Sequence, residues 1–144
     1  MIDEGLIDSN ILVYAFDKSE KQKHEKAKKF LTEALRNKTG ILSIQNLAEF
    51  HYTITKKAKR PVSKEFSQET IKELTNSLWI LKYTESTLIN SINLENLYKI
   101  HFWDALIAAT MQENNIKTIY TENTKDFKKI PGIKTINPIQ QGLT

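Results

Sequence analysis

Cysteine is absent from the 144 residues. Its absence excludes disulfides and thiolate metal sites and favours a reducing compartment, the cytoplasm. No apolar run approaches the ~20 residues that a membrane span needs, so no membrane anchor is expected. The opening residues Met1-Ile2-Asp3-Glu4 are acidic and lack the basic region of a signal peptide. Arginine is nearly missing, at Arg36 and Arg60 only, and lysine carries the positive charge. Lysine meets phosphate as a point charge, without the planar fork that reads base edges. A basic surface built this way attracts a nucleic-acid backbone rather than reading its sequence. Glycine and proline are scarce, at four and three residues, and they gather into no linker. With no repeat and no low-complexity tract, residues 1–144 read as one domain.

Hydrophobic residues make up 40% of the chain and charged residues 26%, the balance of a folded globular protein. The net charge of +4 is compatible with a polyanionic partner. Leu6-Ile7 reads as a short strand ending at Asp8-Ser9-Asn10, and a polar stretch runs from Asp17 to Lys23. His24 to Asn37 has helical spacing, with Ala27, Phe30, Leu31, Ala34 and Leu35 on one face. Ile41-Leu42 is a candidate strand, and Ser43 can cap a helix to about Lys57. Past Pro61, Ser63 opens a helix to about Leu78, followed by a strand-like Trp79 to Tyr83. Thr84 to Tyr98 is helical, with Leu88, Ile92 and Leu94 among its apolar positions. Phe102 to Glu113 is apolar nearly all round, which predicts a central buried helix. Lys117 to Tyr120 and Lys134 to Ile136 are short strands. This alternation predicts a layered α/β/α sandwich with a short, mainly parallel sheet. Ligands in such sheets sit beyond the carboxyl ends of the strands.

Several acidic residues occupy those ends. Asp8 follows the first strand, as a helix cap or as a carboxylate at the mouth of the sheet. Asp104 stands in Phe102-Trp103-Asp104-Ala105-Leu106-Ile107-Ala108-Ala109. It is either that helix's cap or a carboxylate facing Ile107, Ala108 and Met111, which then needs a partner, a proton or a metal. Glu49 lies off the apolar stripe of Leu47, Phe50 and Ile54, so it can face solvent or a cleft. Thr121-Glu122-Asn123-Thr124-Lys125-Asp126-Phe127 follows a later strand, as turn chemistry or as another supply of oxygen ligands. His24, His51 and His101 show no metal-ligand spacing, and His101 reads as a loop or helix-start residue.

Together these segments resemble the PIN-domain ribonucleases. Ile7-Asp8-Ser9-Asn10-Ile11-Leu12-Val13-Tyr14 is similar to the family's opening motif, and Ala48-Glu49-Phe50 resembles its glutamate on the helix after the second strand. Trp103-Asp104-Ala105-Leu106-Ile107-Ala108-Ala109 resembles the third acidic motif, the most specific of the set. Thr121 to Phe127 is similar to the closing motif of the VapC-type toxin branch. The order matches and the resemblance spans essentially the whole chain. One position departs: many PIN domains place an aspartate two residues after the threonine, where this chain has Asn123. Asp126, Glu122 or Asn123 would then complete the site.

The resemblance implies a PIN-like fold and hydrolysis of RNA phosphodiester bonds, leaving 5′-phosphate and 3′-hydroxyl ends. An oxygen-only ligand set selects Mg²⁺ or Mn²⁺. Asp8, Glu49, Asp104 and Asp126 would be the catalytic carboxylates. Asp8 and Asp104 would hold the ion, Glu49 would bind directly or through water, and Asp126 would serve a second ion or the attacking water. Ser9, Asn10, Thr121 and Asn123 would support them. Lys56, Lys57, Lys59 and Arg60 form the densest basic run, and Lys125, Lys128 and Lys129 flank Asp126. Each run is a solvated face or part of an electrostatic funnel for RNA. The implied partners are an RNA (tRNA, rRNA or mRNA), a cognate antitoxin and a second copy of the chain. The rivals are an RNA-processing nuclease of the same fold, an inactive RNA-binding module and an aspartyl phosphatase. The phosphatase would need an aspartate where Asn10 stands.

Overall fold

The computed structural model describes residues 3–140. Of the acidic opening, Met1 and Ile2 lie outside the described residues. Five strands form the sheet: β1 Gly5–Ile7, β2 Gly40–Ser43, β3 Trp79–Leu81, β4 Thr118–Tyr120 and β5 Lys134–Ile136. Their order is β3-β2-β1-β4-β5, and every pairing is parallel. The expected mainly parallel sheet is thus wholly parallel among the described residues. Six α-helices cover it: α1 Ser9–Phe16, α2 Lys21–Asn37, α3 Ile44–Tyr52, α4 Lys64–Ser77, α5 Glu85–Tyr98 and α6 Phe102–Glu113. No helix among the described residues is long and apolar enough to cross a membrane.

Alternation along the strands builds the layers, because successive side chains point to opposite faces. Ile7, Leu42 and Tyr120 pack with Ile11, Leu12, Phe30, Phe50 and Leu74, so α1 to α4 cover one face. Leu6, Ile41 and Ile119 pack with Ala105, Ile107, Ala108 and Met111, placing α6 on the other face, with Leu94 and Tyr98 of α5 behind it. All seven residues from Ala105 to Met111 are buried, as an apolar helix between sheet and neighbour requires. At the sheet's centre a Cβ on Gly5 would meet the Tyr120 ring at 2.8 Å and the Thr118 carbonyl at 2.9 Å. Only glycine lets β1 lie so close to β4.

Helix ends follow side-chain chemistry. Ser43 accepts from the Asn46 N–H while the Asn46 side chain accepts from the Ser43 N–H, which satisfies two otherwise unpaired donors. Ser63 caps α4 by accepting from the Phe66 N–H. Three expectations need adjusting. The helix expected from His24 begins at Lys21, since the lysine-rich first turn favours helix without being apolar. The helix expected to reach Lys57 is α-helical only to Tyr52 and widens into a π turn over Thr53–Lys57. There the Thr55 hydroxyl donates to the His51 carbonyl at 2.7 Å, competing with the backbone for that acceptor. In α5, Leu88 and Ile92 are exposed. The inward face instead carries buried Thr87 and Ser91, and Thr87 donates to Glu113 of α6 at 2.6 Å.

Candidate active site

Three parallel strands deliver their following residues to one edge of the sheet. β1 lies between β2 and β4, where the strand order reverses direction and a crevice opens. Asp8 leaves β1 there, and its backbone N–H donates to the Tyr120 carbonyl at 2.9 Å. The residue is 6% exposed. Its Oδ1 accepts from the Ser9 N–H at 2.7 Å and from Asn46 Nδ2 at 3.3 Å, and its Oδ2 accepts from the Thr121 hydroxyl at 2.8 Å. Asp8 is thus both the N-cap of α1 and a carboxylate at the sheet mouth. Burial pushes its carboxyl up, and the bonds from Thr121 and Ser9 offset part of that rise.

Thr121 is fully buried. Besides donating to Asp8, its hydroxyl accepts from Asn10 Nδ2 at 3.2 Å and from the Asn123 N–H at 3.0 Å. Asn10 Oδ1 accepts in turn from the Glu122 N–H at 3.2 Å. Asn10 and Thr121 therefore lock the loop after β4 onto the first turn of α1. Glu122 is committed elsewhere: its carboxylate meets Lys23 Nζ at 2.6 Å and accepts from the Tyr14 hydroxyl at 3.0 Å. Among the three residues considered for completing the site, Glu122 is therefore turned to α1 and α2. Asn123 is exposed in the loop.

Glu49, on α3, accepts from the Ser9 hydroxyl at 3.4 Å and from Gln45 Nε2 at 3.5 Å. Burial first, then the charge of Asp8, pushes its carboxyl above the usual range. Asp104 is the third residue of α6, and the cap position belongs to His101. The cap reading of Asp104 is therefore corrected: the carboxylate lies within the first turn and faces Asp126 and Asp8. Its carboxyl is pushed up to about 7 by burial, the hydrogen bond with Asp126, and the charges of Asp8 and Asp126. Asp126 is buried. Its Oδ2 accepts from the His101 N–H at 3.0 Å and lies 2.7 Å from His101 Nδ1. Burial pushes this carboxyl up, but the bonds from His101 and Asp104 outweigh it and hold it below the usual value.

Ligand atoms of His101, Asp104 and Asp126 all lie within 4.8 Å of one another. His101 was not legible as a site residue, because its bond to Asp126 joins positions 25 apart in sequence. Among the described residues, no lysine or arginine pairs with Asp8, Glu49 or Asp104. The mouth thus gathers carboxylates that burial and mutual repulsion disfavour as anions, with no lysine or arginine among the described residues paired to Asp8, Glu49 or Asp104 and with His101 offsetting only part of the rise at Asp104. That deficit, met by hard oxygen donors, fits a divalent ion such as Mg²⁺ or Mn²⁺.

Lys57 stands between two open grooves. One, of about 320 Å³, is lined by Ser9, Asn10, Tyr14, Lys57 and Lys59. The other, of about 420 Å³, is lined by Glu49, Tyr52, Tyr83, Trp103 and Lys57. Lys56 and Lys57 also stand over the Tyr52 ring at 5.6 and 5.3 Å. Arg60, Lys125, Lys128 and Lys129 are exposed, and Lys129 Nζ donates to the Lys99 carbonyl at 3.4 Å. The aromatic groove carried no sequence signal, because its walls come from three separate segments.

A family model described as PIN domain matches residues 5–133. No curated relative matches the chain in sequence. Among solved structures, a chain of a toxin–antitoxin complex from Klebsiella pneumoniae is 25% identical, with TM-score 0.68, covering 94% of this chain and 98% of that one. A chain of VapBC2 from Rickettsia felis, bound to a promoter DNA fragment, is 27% identical with TM-score 0.66, covering 92% and 96%. VapC20 of Mycobacterium tuberculosis, a sarcin-ricin loop cleaving toxin, shares the fold at 12% identity and TM-score 0.69, covering 85% and 92%.

Proposed function

The chain belongs to the PIN-domain family, and from that premise we propose that residues 1–144 form a single metal-dependent endoribonuclease domain, the toxin of a toxin–antitoxin pair. The carrying observation is that Glu49 and Asp104 both feel the charge of Asp8, that ligand atoms of Asp104, Asp126 and His101 lie within 4.8 Å of one another, and that among the described residues no lysine or arginine pairs with Asp8, Glu49 or Asp104. Asp8 and Asp104 would hold a Mg²⁺ or Mn²⁺ ion, with Glu49 bound directly or through water. Such an ion lowers the pKa of a bound water and neutralises charge on the phosphate.

The chain's own residues do the rest. Thr121 and Asn46 orient the Asp8 carboxylate. Ser9 and Gln45 orient Glu49. Asp126 fastens the start of α6 through His101, which sets the direction of Asp104. Asp126 also stands ready to orient an attacking water or help hold a second ion, with Asn123 as a neutral oxygen donor beside it. Lys56, Lys57, Lys59 and Arg60, with Lys125, Lys128 and Lys129, would draw the RNA backbone toward the acidic mouth.

The toxin reading is supported by the relatives from Klebsiella pneumoniae and Rickettsia felis, both found in antitoxin complexes. It implies a cytoplasmic protein restrained by a small antitoxin. Exposed Leu88, Ile89 and Ile92 on α5 support pairing of two copies. The test is to treat tRNA, rRNA and mRNA with purified protein and sequence the ends produced. We expect cleavage with Mg²⁺ or Mn²⁺, 5′-phosphate ends, and none after chelation with EDTA. Full activity in EDTA would overturn the proposal.

A further inference from the structure

We propose that the groove between α3 and α6 is a nucleobase subsite, in which an unpaired base next to the scissile phosphate stacks on Trp103. The inference rests on the ribonuclease reading and names a part of the substrate that the carboxylates do not address.

Trp103 is 60% exposed, Tyr52 51% and Tyr83 37%. All three line the same groove, and Glu49 forms part of its wall. Large rings are ordinarily drawn into a core, yet these three are held out around one depression. Glu49 and Trp103 share the groove wall, so a strand whose phosphate lies at the carboxylates would bring a neighbouring nucleotide to this ring.

The backbone beneath the ring is anchored to α3, and a neighbouring ring packs against the indole. Gln45 Nε2 donates to the Trp103 carbonyl at 3.0 Å. The Phe102 ring packs edge-on against the indole at 5.1 Å. Such contacts reduce the freedom that the ring must lose on binding.

Charge selects the occupant. Lys56 and Lys57 stand over Tyr52, and Lys57 reaches the groove itself. Aromatic faces beside ammonium groups suit a ligand that alternates flat rings with anions, which is a single nucleic-acid strand. An apolar peptide would gain nothing from the lysines. A stack accepts any base, because every base presents a π face, so the subsite selects an unpaired nucleotide rather than a given letter.

The test uses the full chain in EDTA, so that binding is read without cleavage. Trp79, half exposed at the sheet edge, is changed in a Trp79→Phe background to leave Trp103 as the sole indole. Titration with an unpaired oligoribonucleotide should quench Trp103 emission, and the same strand in a duplex should not. One abasic position should weaken binding by about five- to hundredfold, the range that base–aromatic stacking supports. In the native-Trp79 chain, with binding read by anisotropy, Trp103→Ala should lose a similar factor and no longer distinguish intact from abasic strands, while Trp103→Phe should keep part of the affinity.

Binding by anisotropy with unchanged Trp103 emission would overturn the subsite. So would shielding of Trp103 from acrylamide in the free protein, which would mean that a second copy covers it. Quenching by an aromatic peptide but not by the oligoribonucleotide would assign the groove to a protein partner and also overturn the proposal. If the unmodified protein cuts RNA with Mg²⁺ and Trp103→Ala binds and cuts equally well, the subsite falls and the ribonuclease reading stands. If no preparation cuts RNA, the ribonuclease reading falls, and the quenching result alone decides the subsite.

Discussion

Asp104 resists ionisation from several sides: burial, its hydrogen bond with Asp126, and the charges of Asp8 and Asp126. Its folded pKa of about 7 lies above the ~3.9 of an unfolded aspartate. The folded state therefore holds the proton more tightly. The stabilisation from that proton is complete below about pH 4 and is lost as pH rises through about 7. Asp8 and Glu49 are shifted in the same direction and add to the same slope. In EDTA the melting temperature should therefore fall between pH 5 and pH 8. Asp104→Asn should flatten that fall and melt no lower than the parent at pH 7.5, because it removes a repelling charge. With Mg²⁺ present, Asp104→Asn and Asp8→Asn should each lose RNA cleavage. Melting scans and cleavage assays on the same preparations read both effects. Near-normal cleavage in either variant would remove that residue from the site.

One hydroxyl ties the loop after β4 to both Asp8 and Asn10. Thr121→Val keeps the shape, removes the donor to Asp8 and strands the Asn10 and Asn123 donors. Leaving the buried Asp8 oxygen without its donor costs about 1–3 kcal/mol, so the variant should melt several degrees lower and cut RNA more slowly. Thr121→Ser should recover both properties. A valine variant with parental melting and rate would show that the hydroxyl does not carry Asp8. At this scale the sequence was most legible where local chemistry and periodicity agreed. Ser43, Ser63 and the apolar run of α6 each announced an element, and Phe102–Glu113 matches its expected bounds. The inward face of α5 was hidden because polar Thr87 and Ser91 are satisfied by bonds to Glu113 and to the helix's own backbone. Hydrophobicity cannot report such a face. The π turn after α3 was equally hidden, since Thr53–Lys57 continues the helical pattern and only the backbone bonding changes. Asp8, Glu49 and Asp104 stood out only through the family resemblance, and His101 escaped it because its partner lies on another loop.

Across the whole molecule, charge is divided by place. Buried and half-buried carboxylates gather at the mouth of the sheet, while lysines stand exposed around it. Replacing Lys56, Lys57, Lys59 and Arg60 together with glutamate should weaken RNA binding. It should also flatten the dependence of affinity on salt, by ~0.7 in logarithmic slope for each phosphate of a single strand that is no longer neutralised. Binding isotherms in EDTA at several salt concentrations read the slope, and an unchanged slope would leave this run as solvated surface. The parallel sheet has a second consequence, in time rather than space. Its central strand β1 is made before β4, and the Thr121 hydroxyl that fixes Asp8 lies 113 residues further along. While a ribosome is still building the chain, Asp8 and Glu49 have emerged without Asp104 or Thr121, and β1 lacks its β4 neighbour. No carboxylate mouth exists on such an intermediate. On the ribonuclease reading, the growing polypeptide would therefore be unable to cut the message that is producing it until the chain beyond β4 is free to close the sheet.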